Sequence, residues 1–272
     1  MASSTLHSLT EESPGLASEF YSVKSPFGSG DDRRSTGKAL TQGLQIPRMV
    51  YMQGLPMLIA PTGTTTAGGA FTLGTAIQNS VFYNSAYCYF PAGTTAPGDP
   101  AGWYYCTFSS TTAGQMYRDS YTPSSTPPAV PGSPTVPTGA ANWTGVTSAV
   151  TVTSFSVPAN DLGANGELWV PDLWFHTINN ANAKTYSVTF GAFTAVNSIS
   201  LSGASMVNSR FRVASLGNTN NQVSNSYTGA AAAAILVGTV DTTANVTVSL
   251  TITRGTATDP AALLPFKALI CR

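Results

Sequence analysis

Charge is what this chain has least of. Asp, Glu, Lys and Arg make up 9% of its 272 residues, against about 25% in an average soluble domain. Thr, Ser, Ala, Gly and Asn take their place. Disorder does not account for the deficit, because disordered chains carry charge and lack aromatics. Here 10% of residues are aromatic. A folded body with few charges is rich in β structure, or has much of its surface covered by partner chains. Twelve basic residues balance twelve acidic ones. The clustered Lys and Arg that phosphate binding needs are missing, so nucleic acid is not an expected partner.

Long apolar runs are missing too. The longest, residues 230–237, is far too short to cross a bilayer, and membrane insertion is not expected. The start, Met1-Ala-Ser-Ser-Thr-Leu-His7, has neither the basic residues nor the apolar stretch of a secretory signal. Synthesis in a cytosol is therefore expected. On that reading Asn142-Trp-Thr and Asn245-Val-Thr are by-products of an Asn/Thr-rich chain rather than glycosylation sites. There are three cysteines, Cys88, Cys106 and Cys271, with no CxxC and no Cys/His cluster. A structural zinc site is not expected. Cys88 and Cys106 read as small buried hydrophobes in a reduced protein, with a cross-strand bridge as the alternative.

The charges that exist are unevenly placed. Glu11, Glu12, Glu19, Lys24, Asp31, Asp32, Arg33, Arg34, Lys38 and Arg48 all precede Met49. Gly, Ser and Pro interrupt this stretch throughout, and residues 28–32 read as a loop. A short helix over 9–20 is compatible with Thr10 as its cap. Residues 1–60 are expected to form an extended arm and connector that orders by lying on a partner. Within it, residues 50–61, broken by Pro56 and closed by Pro61, suit an edge strand or connector.

Residues 61–272 read as β structure. Strands are expected over 70–76, 80–90, 103–108, 114–121, 149–157, 167–178, 184–195, 198–203, 208–216, 230–240, 245–254 and 263–271. A hairpin turn is expected at 109–113, and a bulge at Pro171. In 149–157 strict alternation puts Val150, Val152, Ser154 and Ser156 on one face and Thr151, Thr153, Phe155 and Val157 on the other. A Pro-rich surface loop covers 122–140, and 217–226 is a polar Asn-rich loop. Turn signals recur about every dozen residues and helical periodicity is almost absent. That spacing predicts a β-sandwich or barrel.

Four stretches resemble virion proteins of tailed bacteriophages: tail fibres, head fibres and capsid decoration proteins. They are Gly54-Leu-Pro-Met-Leu-Ile-Ala-Pro-Thr-Gly-Thr, Gly102-Trp-Tyr-Tyr-Cys-Thr-Phe-Ser-Ser-Thr-Thr-Ala-Gly-Gln-Met-Tyr, Phe155-Ser-Val-Pro-Ala-Asn-Asp-Leu-Gly-Ala-Asn-Gly-Glu-Leu with Asn179-Asn-Ala-Asn-Ala-Lys-Thr, and Gly238-Thr-Val-Asp-Thr-Thr-Ala-Asn-Val-Thr-Val-Ser-Leu-Thr-Ile-Thr. The resemblance implies a jelly-roll-like antiparallel β-sandwich, commonly a homotrimer. It would be held in the particle through residues 1–60, which would contact other virion proteins of the capsid, tail or collar. No cofactor, metal or catalytic residue is implied.

His7 and His176 are the two histidines. Without a GxSxG elbow, His176 reads as a hydrogen-bonded strand residue rather than a catalytic base. Asp161, Glu167 and Asp172 would be the carboxylates of a polysaccharide depolymerase, but a turn cap and a strand start explain the first two. Asp161 with Asn160 and Asn165 is a conceivable calcium set that Asx turns explain equally. Trp103, Tyr104, Tyr105 and Tyr117, with Trp169 and Trp174, are core or subunit-packing aromatics or a platform for a host surface glycan. Arg210 and Arg212 share one strand face and could reach carboxylates of a neighbouring chain. Loops 123–137 and 217–226 are the expected variable surfaces.

Overall fold

The computed structural model describes residues 19–22, 33–36, 47–77, 85–91, 101–118, 135–136, 139–200, 206–228, 231–232 and 235–271. These form strands, turns and bends, and no helix is found among them. Two compact units divide the chain, one ending at Ile46 and one spanning Pro47–Cys271. In the first, β1 (Glu19–Ser22) and β2 (Arg33–Thr36) pair antiparallel, Glu19 facing Thr36 and Ser22 facing Arg33. Residues 9–18 of the expected helix lie outside the described residues, and 19–20 are strand.

The second unit is a jelly roll with an insertion. Its first sheet takes β3 (Arg48–Gln53), β12 (Glu167–Thr177), β15 (Met206–Ser215) and β21 (Phe266–Cys271) in the spatial order β3-β21-β12-β15. The second takes β11 (Val150–Val157), β13 (Lys184–Phe190), β14 (Phe193–Ser200) and β19 (Val246–Arg254) in the order β11-β19-β13-β14. The chain alternates between sheets except at the β13–β14 hairpin. That path is the double Greek key of a jelly roll, and the expected all-β antiparallel sandwich is what the chain forms. The first sheet continues sideways through β16 (Gln222–Thr228), with β17 (Ala231–Ala232) and β18 (Leu236–Gly238) at its edge. Residues 222–226, expected as loop, are therefore strand. The connection there is only the turn at 216–221.

The core lies between the sheets. Val150, Val152, Phe155, Val188, Phe190, Val248, Leu250 and Ile252 of one sheet meet Leu168, Val170, Leu173, Phe175, Phe211, Val213 and Ile270 of the other, all buried. Alternation in β11 is broken. Thr151 pairs with Thr251 but Thr153 with Leu250, so Val152 is an extra residue. This bulge switches the inward parity, and Val152, Thr153, Phe155 and Val157 are all buried. Thr153 is thereby brought against β3. Its hydroxyl lies 2.6 Å from the Tyr51 hydroxyl, which donates to Gln53 Oε1 at 2.6 Å, while the Tyr51 ring stacks on Phe155 at 4.7 Å. The expected bulge at Pro171 is present, as pairing with β15 shifts between Val170 and Leu173. At the opposite corner Gly238 lets the Phe193 ring close over it; a Cβ there would sit 2.4 Å from the ring.

Between β3 and β11 the chain inserts a curled extension of the first sheet, joined to β12 through β20 (Ala261–Leu263). It contains β4 (Met57–Ile59), β5 (Gly63–Thr65), β6 (Ala70–Leu73), β7 (Ser85–Phe90), β8 (Gly102–Phe108), β9 (Ala113–Arg118) and β10 (Ala141–Trp143), in the order β10-β5-β6-β9-β8-β7-β4. The expected β8–β9 hairpin is present. The sheet curls until Trp143 of β10 meets Phe90 of β7 at 5.1 Å, edge to face. Inside the curl lie Leu58, Phe71, Leu73, Cys88, Phe90, Tyr104, Cys106 and Met116. Residues 48–59, expected in the arm and connector, thus belong to the body. Met57, Leu58 and Ile59 are fully buried, flanked by β7 in parallel and by β20 (Ala261–Leu263) antiparallel. An apolar triplet with partners on both sides is a central strand, whatever the prolines around it. Of the Pro-rich loop, only residues 135–136 and 139–140 are described, and Thr135 bridges Arg118.

One side chain joins insertion to jelly roll. Arg254, at the end of β19, is 1% exposed. Its Nε donates to the Val146 carbonyl at 3.0 Å and its terminal nitrogens to the carbonyls of Ile59 (3.2 Å), Ala60 (3.1 Å), Val146 (2.7 Å) and Asp259 (2.5 Å). A buried cation survives only where its N–H groups are met. Arg254→Met is expected to lower unfolding free energy by about 3–5 kcal/mol, by stranding four carbonyls. Arg254→Lys, which keeps the charge but loses the fork, should still cost about 2 kcal/mol. Urea unfolding of the three proteins checks both. A lysine variant as stable as wild type would show that charge alone suffices.

Candidate functional site

Among the described residues the carboxylates named from the sequence have separate surroundings. Asp161 follows Asn160, whose φ of 61° is that of a tight turn. Its carboxylate pairs with Arg48 of β3. Glu167 pairs with Arg212 across the β12–β15 ladder, within the chain. Asp172 is exposed and accepts from Asn208 Nδ2 at 3.4 Å. Two of the three depolymerase candidates are thus neutralised by arginines. Among the described residues no group of three or more His, Cys, Asp and Glu is placed to hold a metal ion.

The aromatics divide by strand parity. Trp103 and Tyr104 are buried on opposite faces of β8, Trp103 in the main core and Tyr104 inside the curled sheet. Tyr105 and Tyr117 are half-buried and lie 6.0 Å apart. The outer face of the first sheet is where large apolar groups reach the surface. Trp174 is 38% exposed there, beside Asp172 and Asn208. Trp169, with Glu167, Arg210, Arg212, Ala214 and Val223, lines an open groove of about 540 Å³. At the sheet's far edge Ile235 and Val237 are 73% and 67% exposed, with Val237 opposite Val223. Met49 and Met52 of β3 extend the same face.

Two buried positions carry no signal in the sequence. Lys184 opens β13 with a fully buried side chain, and Asp259 lies in the turn before β20. Lys184 Nζ is 3.2 Å from Asp259 Oδ2 and 2.5 Å from Asn180 Oδ1, and donates to the carbonyls of Ile178 (3.2 Å) and Asn182 (3.0 Å). Asn180 and Asn182 in turn donate their side-chain amides to the Asp259 carboxylate at 3.0–3.2 Å. The sequence shows a polar Asn loop followed by a strand beginning with Lys. Burial of that lysine depends on residue 259, 75 positions later, and no local pattern reveals it.

The three cysteines are free thiols. Cys88 and Cys106 are buried on neighbouring strands, and burial raises the Cys106 pKa well above its ordinary value, with Cys88 adding to the rise. His176 is buried near the end of β12, facing Ala262 and Met206 in its ladders. Burial lowers its pKa from the usual 6.5. As pH falls below 6.5 the unfolded chain binds this proton before the folded one does, so stability drops with falling pH. The loss levels off once the folded imidazole also titrates. Unfolding free energy should therefore decrease as pH falls through the unfolded-state value of 6.5. In His176→Gln that component of the slope should vanish. Parallel slopes for the two proteins would remove His176 from the account.

No family model matches the chain, and no characterised protein matches it. Among solved structures the chain is similar to one in the structure of infectious bursal disease virus, Gx strain. The identity is 11%, over 95% of this chain and 69% of that one, with a TM-score of 0.19.

Proposed function

We propose that this protein is a structural component of a bacteriophage particle, a fibre, head-fibre or capsid-decoration subunit held by its N-terminal region and associating as a homotrimer. The observation that carries the reading is the outer face of the first jelly-roll sheet. A chain with 9% charged residues exposes Ile235, Val237, Met49 and Trp174 along one sheet. Apolar groups gathered on an edge and face are what a covering chain protects, and uncovered edges invite uncontrolled pairing. The jelly-roll body and the separate N-terminal unit support the same reading, as do the four resembling stretches of sequence. Light scattering on the full-length chain tests it: a trimer that falls to monomer in Ile235→Lys/Val237→Lys is expected. A wild-type monomer would sink the free trimer and leave association only on the particle.

A second reading, a host-glycan adhesin, is favoured by Trp174 alone. An exposed indole beside a carboxylate and an amide is a sugar-stacking arrangement. Trp174→Ala should then abolish retention on immobilised host-cell polysaccharide. Unchanged retention, or none in the wild type, speaks against it.

A further inference from the structure

We propose that Lys184 and Asn180 become joined by a self-formed isopeptide bond, with Asp259 as the proton-transfer group. Three observations converge. The amine, the amide and the carboxylate meet in a pocket that buries Lys184 completely and leaves Asp259 3% exposed. The nucleophile is in reach: Nζ lies 2.5 Å from Asn180 Oδ1 and 3.2 Å from Asp259 Oδ2. The leaving group and the oxyanion are each already attended. Asn180 Nδ2 lies 3.1 and 3.2 Å from the two Asp259 oxygens, and Asn180 Oδ1 accepts from the Asn182 backbone N–H at 3.1 Å.

Chemically this is an acyl transfer with its parts in place. Asp259 takes a proton from the Lys184 ammonium and leaves a neutral amine. The nitrogen lone pair attacks Cγ of Asn180, forming the Nζ–Cγ bond. Negative charge gathers on Oδ1, where the Asn182 N–H steadies it. The Cγ–Nδ2 bond then breaks. Nδ2 takes up the two protons released from Nζ, relayed by Asp259, and leaves as ammonium while the Asp259 carboxylate is restored. One amide replaces another, and nothing is oxidised or reduced. Two reactants held at contact distance away from bulk water gain the large effective concentration that such slow reactions need, and one turnover per chain is enough.

A simple buried ion pair would hold the same atoms without reacting, and mass distinguishes the two. The purified full-length chain is denatured, digested and measured by mass spectrometry. The fragment holding residues 180–184 should weigh one ammonia less than its sequence, with fragmentation locating the link between Asn180 and Lys184. Lys184→Arg and Asn180→Ala should restore full mass, and Asp259→Ala should leave the fragment unlinked. Because the wild-type reading needs no variant to fold, it decides by itself. A fragment at its sequence mass overturns the proposal. A deficit of one water, mapped to Lys184 and Asp259, overturns the choice of electrophile and with it the mechanism.

Discussion

The guanidinium of Arg254 is the constraint on which the rest of this body depends. Its four carbonyl partners come from three separate stretches: the end of β4, the return from the insertion at Val146, and the turn at Asp259. Bringing those stretches together sets how the curled insertion joins the sandwich. The cost of burying a cation makes the arrangement all-or-none, since one misplaced carbonyl leaves an unmet N–H in an apolar surrounding. Burial lowers the Arg254 pKa to about 10, with Asp259 opposing the shift, so the group stays charged at neutral pH.

Asp259 ties that pin to a second one. Its backbone carbonyl receives Arg254, while its carboxylate receives Lys184, Asn180 and Asn182. The loop before β13 and the turn before β20 are thereby held by one residue. Together with Gln222, which bridges Thr219 and Val240, these buried polar side chains hold connections that apolar packing alone would leave loose. A hydrophobic core is indifferent to small slips of its strands. A hydrogen-bonded carbonyl set is not, because each bond is lost within a fraction of an ångström.

Scarce charge therefore has a particular distribution in the jelly-roll unit. Arg254, Lys184 and Asp259 serve inside, and Arg48–Asp161 and Arg212–Glu167 span strands near the surface. On the outer face of the first sheet methionines, tryptophans and an edge of Ile235 and Val237 lie among Glu167, Asp172, Arg210 and Arg212. A surface arranged in this way suits coverage by another chain, which is why an assembled particle is the reading we favour.

The sequence by itself determined the class of fold. Alternating β-branched residues and closely spaced turns state their strand character locally, and β8, β9, β12 and β19 fall close to where periodicity puts them. Local pattern also located the bulge at Pro171, where a missing N–H breaks the ladder. It did not reveal the bulge at Val152, since nothing around residues 151–153 marks an extra residue. It also set Met57–Ile59 outside the body, because prolines on either side look like a connector until β7 and β20 supply partners. Only the tertiary structure decided which sheet each strand joins, that Arg212 meets Glu167 of its own chain, and that Lys184, Asn180 and Asp259 share one buried pocket. Strand character is set by neighbours in sequence. Pairing, parity after a bulge and the burial of charge are set by residues far away along the chain, and only the fold brings them together.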